Sequence, residues 1–214
     1  MDVSQSTTLP EALENLTALF ERGPQSKADE VTSSILDAAQ EEFMEFGLRR
    51  TAVEDVARRA GIARVTIYRR FPNKGALMQA VFVRECARFI ESVEEAVDRD
   101  DPVEKRVLDG FTRAVLLVRN NALISRILQT DPELALSYLT VGAGPVLSVA
   151  RVYLAGHLRR GRNAAAARSA DALAETIMRL GLSFVLTPGS CIDLDNEEAV
   201  REYGRQLVLP LVLG

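Results

Sequence analysis

The spacing of the apolar residues constrains this chain more than any other feature. Through nearly all of its 214 residues they recur three and four apart, and the strict alternation of a strand is scarce. Ala, Leu, Glu and Arg, all good helix formers, dominate between the turn signals. The expected fold is therefore all-α, with nine to ten helices. The length permits one or two domains with a substantial hydrophobic core.

Helix breakers and caps divide the pattern. Residues 1–26 stand apart as an N-terminal extension, read either as one short helix carrying Leu13, Leu16 and Phe20 or as a mobile tail. The first firm helix is expected over residues 28–46, with Ile35, Ala39, Phe43 and Phe46 inward and Gly47 as its C-terminal cap. Thr51, with Glu54 three residues on, reads as a capping box that opens the second helix, which ends at Ala60-Gly61. A third covers about residues 64–71 and breaks at Pro72-Asn73. A long helix follows, over about residues 74–98. Further helices are expected over residues 103–119, 122–129, 132–140, 145–158, 169–186 and about 197–209.

Charge is unevenly shared. The chain carries a net charge of -4, yet residues 49–74 hold eight basic side chains against Glu54 and Asp55, a local +6. A compact basic module on an acidic chain suits a polyanion at one place and discourages binding elsewhere. The catalytic alternatives are poor. One histidine, His157, and two cysteines, Cys86 and Cys191, offer no metal-ligand spacing and no nucleophile with a base. No enzyme and no cofactor is expected. The N-terminus does not read as a signal peptide, and no apolar run is long enough to span a bilayer, so a cytoplasmic protein with no membrane partner is expected.

Within the basic module, a short helix, a glycine turn and a second short helix form a helix-turn-helix pattern. Ala57 is small where the helices cross, Gly61 makes the turn and Ile62 plugs it. Ile67 and Phe71 face inward with Val56. That leaves Arg64, Val65, Thr66, Tyr68, Arg69 and Arg70 on or near the outer faces. Such a helix reads base edges in the major groove with its N-terminal residues. Arg64 suits guanine, Thr66 offers a methyl and a hydroxyl, and Tyr68 reaches for a phosphate. Thr51 and Lys74, at the starts of the flanking helices, complete the expected DNA-contacting set.

"ILDAAQEEFMEFG" followed by "TAVEDVARRAGIARVTIYRRFPNKGAL" resembles the TetR family of bacterial transcriptional regulators over about residues 28–82. Matching positions include Ile35, Ala39, Phe43, Gly47, Thr51, Ala57, Gly61, Thr66, Tyr68, Phe71 and Lys74. Two positions depart: Ala63 stands where the family usually has Ser, and Arg70 where it often has His. The resemblance implies a DNA-binding domain over residues 27–75 and a helical ligand-binding and dimerisation domain over residues 76–214. It implies a homodimeric repressor, released from a palindromic DNA operator by a small, largely apolar effector. A regulator or activator without such a ligand, and a helical scaffold that binds no DNA, are the alternatives.

The C-terminal two-thirds agrees with that division. Leu173, Ile177, Leu180 and Phe184 form a seam, Gly181 lies on a second apolar face, and "LVLPLVLG" closes the chain. With Tyr203, Leu207 and Leu211 they make the expected dimer interface. For a ligand cavity, Phe111, Leu116, Leu123 and Ile127 read as lining or plain core. Arg113, Tyr138, Arg151, Tyr153 and His157 are the candidate polar handles. Arg151 suits either a ligand carboxylate or a structural acid, and His157 also reads as a satisfied or exposed helix-end histidine.

Overall fold

The computed structural model describes residues 27–159, 169–187 and 189–213, and the regular elements among them are all helical. Residues 1–26 and most of the Ala-rich tract near residue 165 lie outside the described residues. Ten α-helices are described: α1 (Lys27–Phe46), α2 (Val53–Arg59), α3 (Arg64–Arg70), α4 (Lys74–Glu95), α5 (Val103–Arg119), α6 (Ala122–Thr130), α7 (Pro132–Leu139), α8 (Gly144–Arg159), α9 (Ala170–Leu186) and α10 (Glu197–Tyr203). A short 3-10 turn (Val141–Ala143) precedes α8.

The chain divides into two compact units. The first takes the residues up to Ala87 together with Ala122–Ala135; the second takes Arg88–Asn121 and Leu136–Gly214. The boundary between these units falls inside α4, and α6 lies in the first unit with α1 to α3.

In the first unit, Ile35, Ala39, Phe43, Leu48, Val56, Ile67, Leu77 and Val81 are almost fully buried. Phe46 corrects the expected stripe: it is 41% exposed, because α1 ends there and Gly47 turns the chain away at φ 84°. The expected capping box is also corrected. Thr51 is not the cap but a buried residue whose hydroxyl faces the Glu42 and Gly47 carbonyls. Ala52 caps α2, and the Asp55 carboxylate accepts from its N–H at 3.4 Å.

Polar ties complete this unit. Arg59 donates to Glu41, Glu42 and Glu45 of α1. Arg84 of α4 reaches Asp37, Gln40 and the Ser33 carbonyl. From α6, Arg126 caps the Glu45 carbonyl at 2.8 Å. Asp131, just beyond α6 and buried, accepts from the Leu48 N–H at 2.8 Å. Gly47 has to be glycine twice over: its φ is positive, and a Cβ there would meet the Asp131 carboxylate at 2.9 Å.

The second unit is built on apolar contact. Phe111, Val115, Ala155, Leu158, Ala170, Ala174, Leu194, Val200, Val208 and Val212 form its core. Small Ala155, Ala170 and Ala174 are wholly buried where α8 and α9 pack closely. The last helix does not stop near Leu209 as expected. It passes through a π turn (Gly204–Val208) and ends as α-helix over Leu209–Leu213. Pro210 explains the turn. It has no N–H to give and its ring crowds the preceding carbonyls, so one residue is looped in, with Leu209 N–H bonding to Gly204 O. Gly204 allows this next to Phe111, whose ring a Cβ would approach at 2.9 Å.

Candidate nucleic-acid interface

Backbone chemistry fixes the turn between α2 and α3. Gly61 takes φ 67°, its N–H bonds to Arg58 O, and the Ile62 N–H bonds to Ala57 O. These are the two bonds of a Schellman motif, which satisfies the carbonyls left free at the end of α2. Helix α3 then begins from Ala63, which is extended and contributes no side-chain cap. Ile67, 1% exposed, and half-buried Phe71 hold its inner side.

The outer side of α3 carries Arg64, Val65, Tyr68 and Arg69, all exposed and spaced as one helical face. Val65 is 64% exposed, a large apolar side chain presented to solvent. The Arg69 side chain makes no hydrogen bond or ion pair among the described residues. Thr66 lies half-buried at the edge of this face. Arg64 is held: its Nη1 lies 2.6 Å from the Glu54 carboxylate, its Nη2 donates to the Tyr68 hydroxyl at 3.3 Å, and its guanidinium lies 5.1 Å from the centre of the Tyr68 ring. The Tyr68 hydrogen bond first, and then the Glu54 charge, raise the Arg64 pKa above its ordinary value.

Three other expected DNA contacts are placed differently. Thr51 is turned inward, 3% exposed, so its hydroxyl is not presented on this surface. Arg70 leans toward α1, donating to the Thr32 hydroxyl and the Thr66 carbonyl. Lys74 bonds the Arg49 carbonyl at 3.0 Å, and its partial burial lowers its pKa against the opposing pull of Asp131.

In the second unit, Arg151 pairs with Asp171 at 3.0 Å and has Glu175 at 3.9 Å, which is the structural acid pairing of the two readings. His157 contacts the Tyr153 carbonyl and ring and lies 3.7 Å from Glu94. Arg113 is exposed and donates to the Ser92 carbonyl, so it faces outward rather than into a cavity. Phe111 is buried core, and Leu116 is half-buried. Leu123 and Ile127 are buried and fall in the first unit, whereas Phe111 and Leu116 fall in the second. The Tyr138 side chain lies outside the described residues. Thr112 had no sequence signal, yet its hydroxyl is buried without a hydrogen-bond partner among the described residues.

Of the expected dimer residues, Leu173, Ile177, Phe184 and Tyr203 pack against the core of their own unit while staying partly exposed. Phe111, Tyr203 and Phe184 join in an aromatic cluster. Leu180 and Gly181 are half-buried. Leu207 and Leu211 are each 52% exposed, set four apart along the last helix. A groove of about 460 Å³ lies in the first unit between α1 and α2. Glu30, Asp37, Glu41 and Arg59 give it a polar lining unsuited to an apolar ligand.

A capless helix presented on a Schellman turn, with its basic face outward, defines a helix-turn-helix DNA-binding protein. The comparisons carry this to a family. Residues 35–81 match the N-terminal model of bacterial regulatory proteins of the tetR family, and residues 103–201 match a tetracycline-repressor C-terminal domain. The chain belongs to the TetR family of transcriptional regulators. It is 28% identical over 158 residues to the HTH-type transcriptional regulator AlkX of Mycobacterium tuberculosis, covering 72% of this chain and 74% of that one. An uncharacterised HTH-type regulator of the same organism is 29% identical over 138 residues, covering 64% and 70%. The fold is shared with the crystal structure of the TetR family repressor AlkX from Dietzia sp., at a TM-score of 0.67 and 23% identity, covering 89% of this chain and 97% of that one. Among the described residues, no helix is long and apolar enough to cross a membrane.

Proposed function

We propose that this regulator is a homodimeric repressor, released from a palindromic operator by a small, largely apolar ligand. The outward face of α3 carries the reading, because an exposed Arg64, Val65, Tyr68 and Arg69 have a common use only against a groove of DNA. The DNA-reading head is assigned to the first unit, and ligand binding and dimerisation to the second. Exposed Leu207 and Leu211 support pairing with a second copy through the last helix. Two heads so joined suit half-sites about one helical turn apart.

Support for the ligand comes from the second unit's apolar core and from Thr112, whose hydroxyl is costly to bury unpaired. A ligand that hydrogen-bonds to it would satisfy that group. The Dietzia repressor is described as implicated in biodegradation of n-alkanes, which makes n-alkanes and their oxidised derivatives the first class to try. A ligand that prefers the state unfit for DNA would weaken operator binding by its differential affinity.

Selection of bound duplexes from a random pool, followed by challenge with a graded series of n-alkanes and fatty acids, tests the whole reading. It should enrich a palindrome and then release it. Enrichment of an asymmetric site by a chain that sediments as a monomer would sink the dimer, and a palindrome that no apolar compound releases would sink the apolar ligand.

A further inference from the structure

Between Arg49 and Lys74 the sequence keeps only two acids, and a carboxylate on a DNA-facing surface opposes the phosphates. Asp55 is accounted for: it accepts from the Ala52 N–H and pairs with Arg58 on its own helix. Glu54 does neither. It is exposed on the first turn of α2, and its carboxylate lies 2.6 Å from Arg64, the first residue of the outward-facing helix.

The guanidinium is bracketed by contacts at both of its terminal nitrogens. Glu54 holds one terminal nitrogen, the Tyr68 hydroxyl holds the other, and the Tyr68 ring lies beside the guanidinium. Arg has five donor hydrogens in a rigid fork. One contact at each terminal nitrogen leaves each with a further hydrogen, and two parallel donors are what two-point recognition of guanine requires. The bracket also cancels charge. Arg64 with Glu54 is a neutral donor pair, so it presents direction without net attraction for phosphate.

We infer that Glu54 is a specificity-determining positioning residue of the DNA interface. By neutralising and orienting Arg64, it makes that side chain read base edges instead of adding to sequence-independent phosphate binding. This rests on the DNA-binding reading given above and goes further by dividing the basic module into two kinds of cation. Arg64 is compensated and directional. Arg69, on the same face with no partner among the described residues, is left to supply plain electrostatic attraction.

The test uses the full chain, the duplex enriched from the random pool and a scrambled duplex of equal length, titrated across salt concentration. Glu54→Gln removes the charge but keeps the shape. It should steepen the salt dependence of scrambled-duplex binding by about one unit of slope and tighten that binding about fivefold near physiological salt. Operator binding should hardly change, so the ratio of the two affinities should fall about fivefold. Glu54→Asp keeps the charge but shortens the reach. It should hold the wild-type slope on scrambled DNA while losing part of the ratio. A Glu54→Gln protein with wild-type slope and ratio overturns the proposal, and so does a steeper slope with an unchanged ratio, which would make Glu54 a bare countercharge. If the wild-type chain enriches no duplex at all, the DNA-binding reading itself fails and this proposal with it. Unchanged thermal unfolding of both variants keeps these outcomes separate from misfolding.

Discussion

In the first unit, the buried N–H of Leu48 finds its partner in a carboxylate 83 residues further along the chain. In the second, Phe111 finds Tyr203 and Phe184, and the small Ala155, Ala170 and Ala174 let α8 and α9 close on each other. Both units are helical, with apolar cores and ion pairs between elements, but in the first the directional ties converge on α1 and the Leu48 just beyond it, while in the second they are spread, as in Arg119 with Asp195, Arg151 with Asp171 and Arg201 with Asp109. Arg59, Arg84, Arg126 and Asp131 each fix a geometry as well as a contact. A head that, as proposed, presents Arg64 and Arg69 to DNA at set positions needs that kind of fixing. A body that packs mainly apolar surface tolerates repacking, because hydrophobic contact has no preferred direction. The contrast predicts that the two units answer separately to chemical probes and to mutation.

The largest difference should appear at the two cysteines, one in each unit. Cys191 is exposed. Cys86 lies half-buried on α4, and desolvation pushes its thiol up from 9.0 to about 11. At pH 8 that lowers the thiolate fraction about 100-fold. A thiol-reactive chromophore should therefore modify Cys191 first and Cys86 about 100-fold more slowly. Equal rates would mean that the first unit opens as easily as a surface loop. The sign with pH follows. A thiol whose folded pKa is raised stabilises the fold below the unfolded value near 9, and that contribution is lost as pH rises toward 11. Alkaline titration should therefore loosen the first unit, with Cys86 labelling as the readout.

A smaller effect should follow from Asp131→Ala. It leaves the buried Leu48 N–H without its acceptor and removes one of the two carboxylates beside Arg49, 3.7 Å away, while Glu133 stays at 2.5 Å. An orphaned buried donor costs about 2 kcal/mol. Cys86 labelling should quicken by up to roughly 30-fold, the equivalent of that loss, while Cys191 labelling stays as it was. If both cysteines respond together, the units unfold as one and the contrast between them is lost.

The head was the more legible part of the chain, and the reason is local. Gly61, Ala57, Ile62 and Ile67 each act within a few residues of the turn they build, so their spacing carries their roles. Thr51 misled because a Thr three residues before an acid has the cap signature, while the true start lies one residue later, and Gly47 swings Thr51 inward. Leu123 and Ile127 gave a correct helix but not its unit. What assigns α6 is Arg126 reaching Glu45 of α1 and Asp131 reaching Leu48 just beyond it, which no periodicity reports. The pairing of Glu54 with Arg64 was equally silent, since the two residues are ten apart and meet only once the turn is folded. In the body, the last helix was expected to end at about residue 209, just before Pro210. The π turn that carries the helix past it depends on Gly204 fitting beside Phe111, a contact far along the chain. Leu173, Ile177, Phe184 and Tyr203 show the same limit from the other side. An apolar seam on a helix demands cover, and their own unit supplies part of it.

The smallest effect tests whether one more directional tie strengthens the head alone. Ala63 has the extended backbone of an N-cap, φ -71° and ψ 137°, and its carbonyl already accepts from the Thr66 N–H at 2.8 Å. Only the side-chain acceptor is missing. Ala63→Ser places a hydroxyl where it can take the N–H of Val65 or Thr66, a change that typically stabilises a helix by about 1 kcal/mol. Stabilisation on that scale should slow Cys86 labelling about fivefold and leave Cys191 unaffected. It should also tighten operator binding if ordering α3 is part of the cost of association, because a helix already formed has less entropy to lose. Slower Cys86 labelling with unchanged operator affinity would show that α3 is fully formed before DNA arrives. The native Ala63 would then cost the fold a little and recognition nothing.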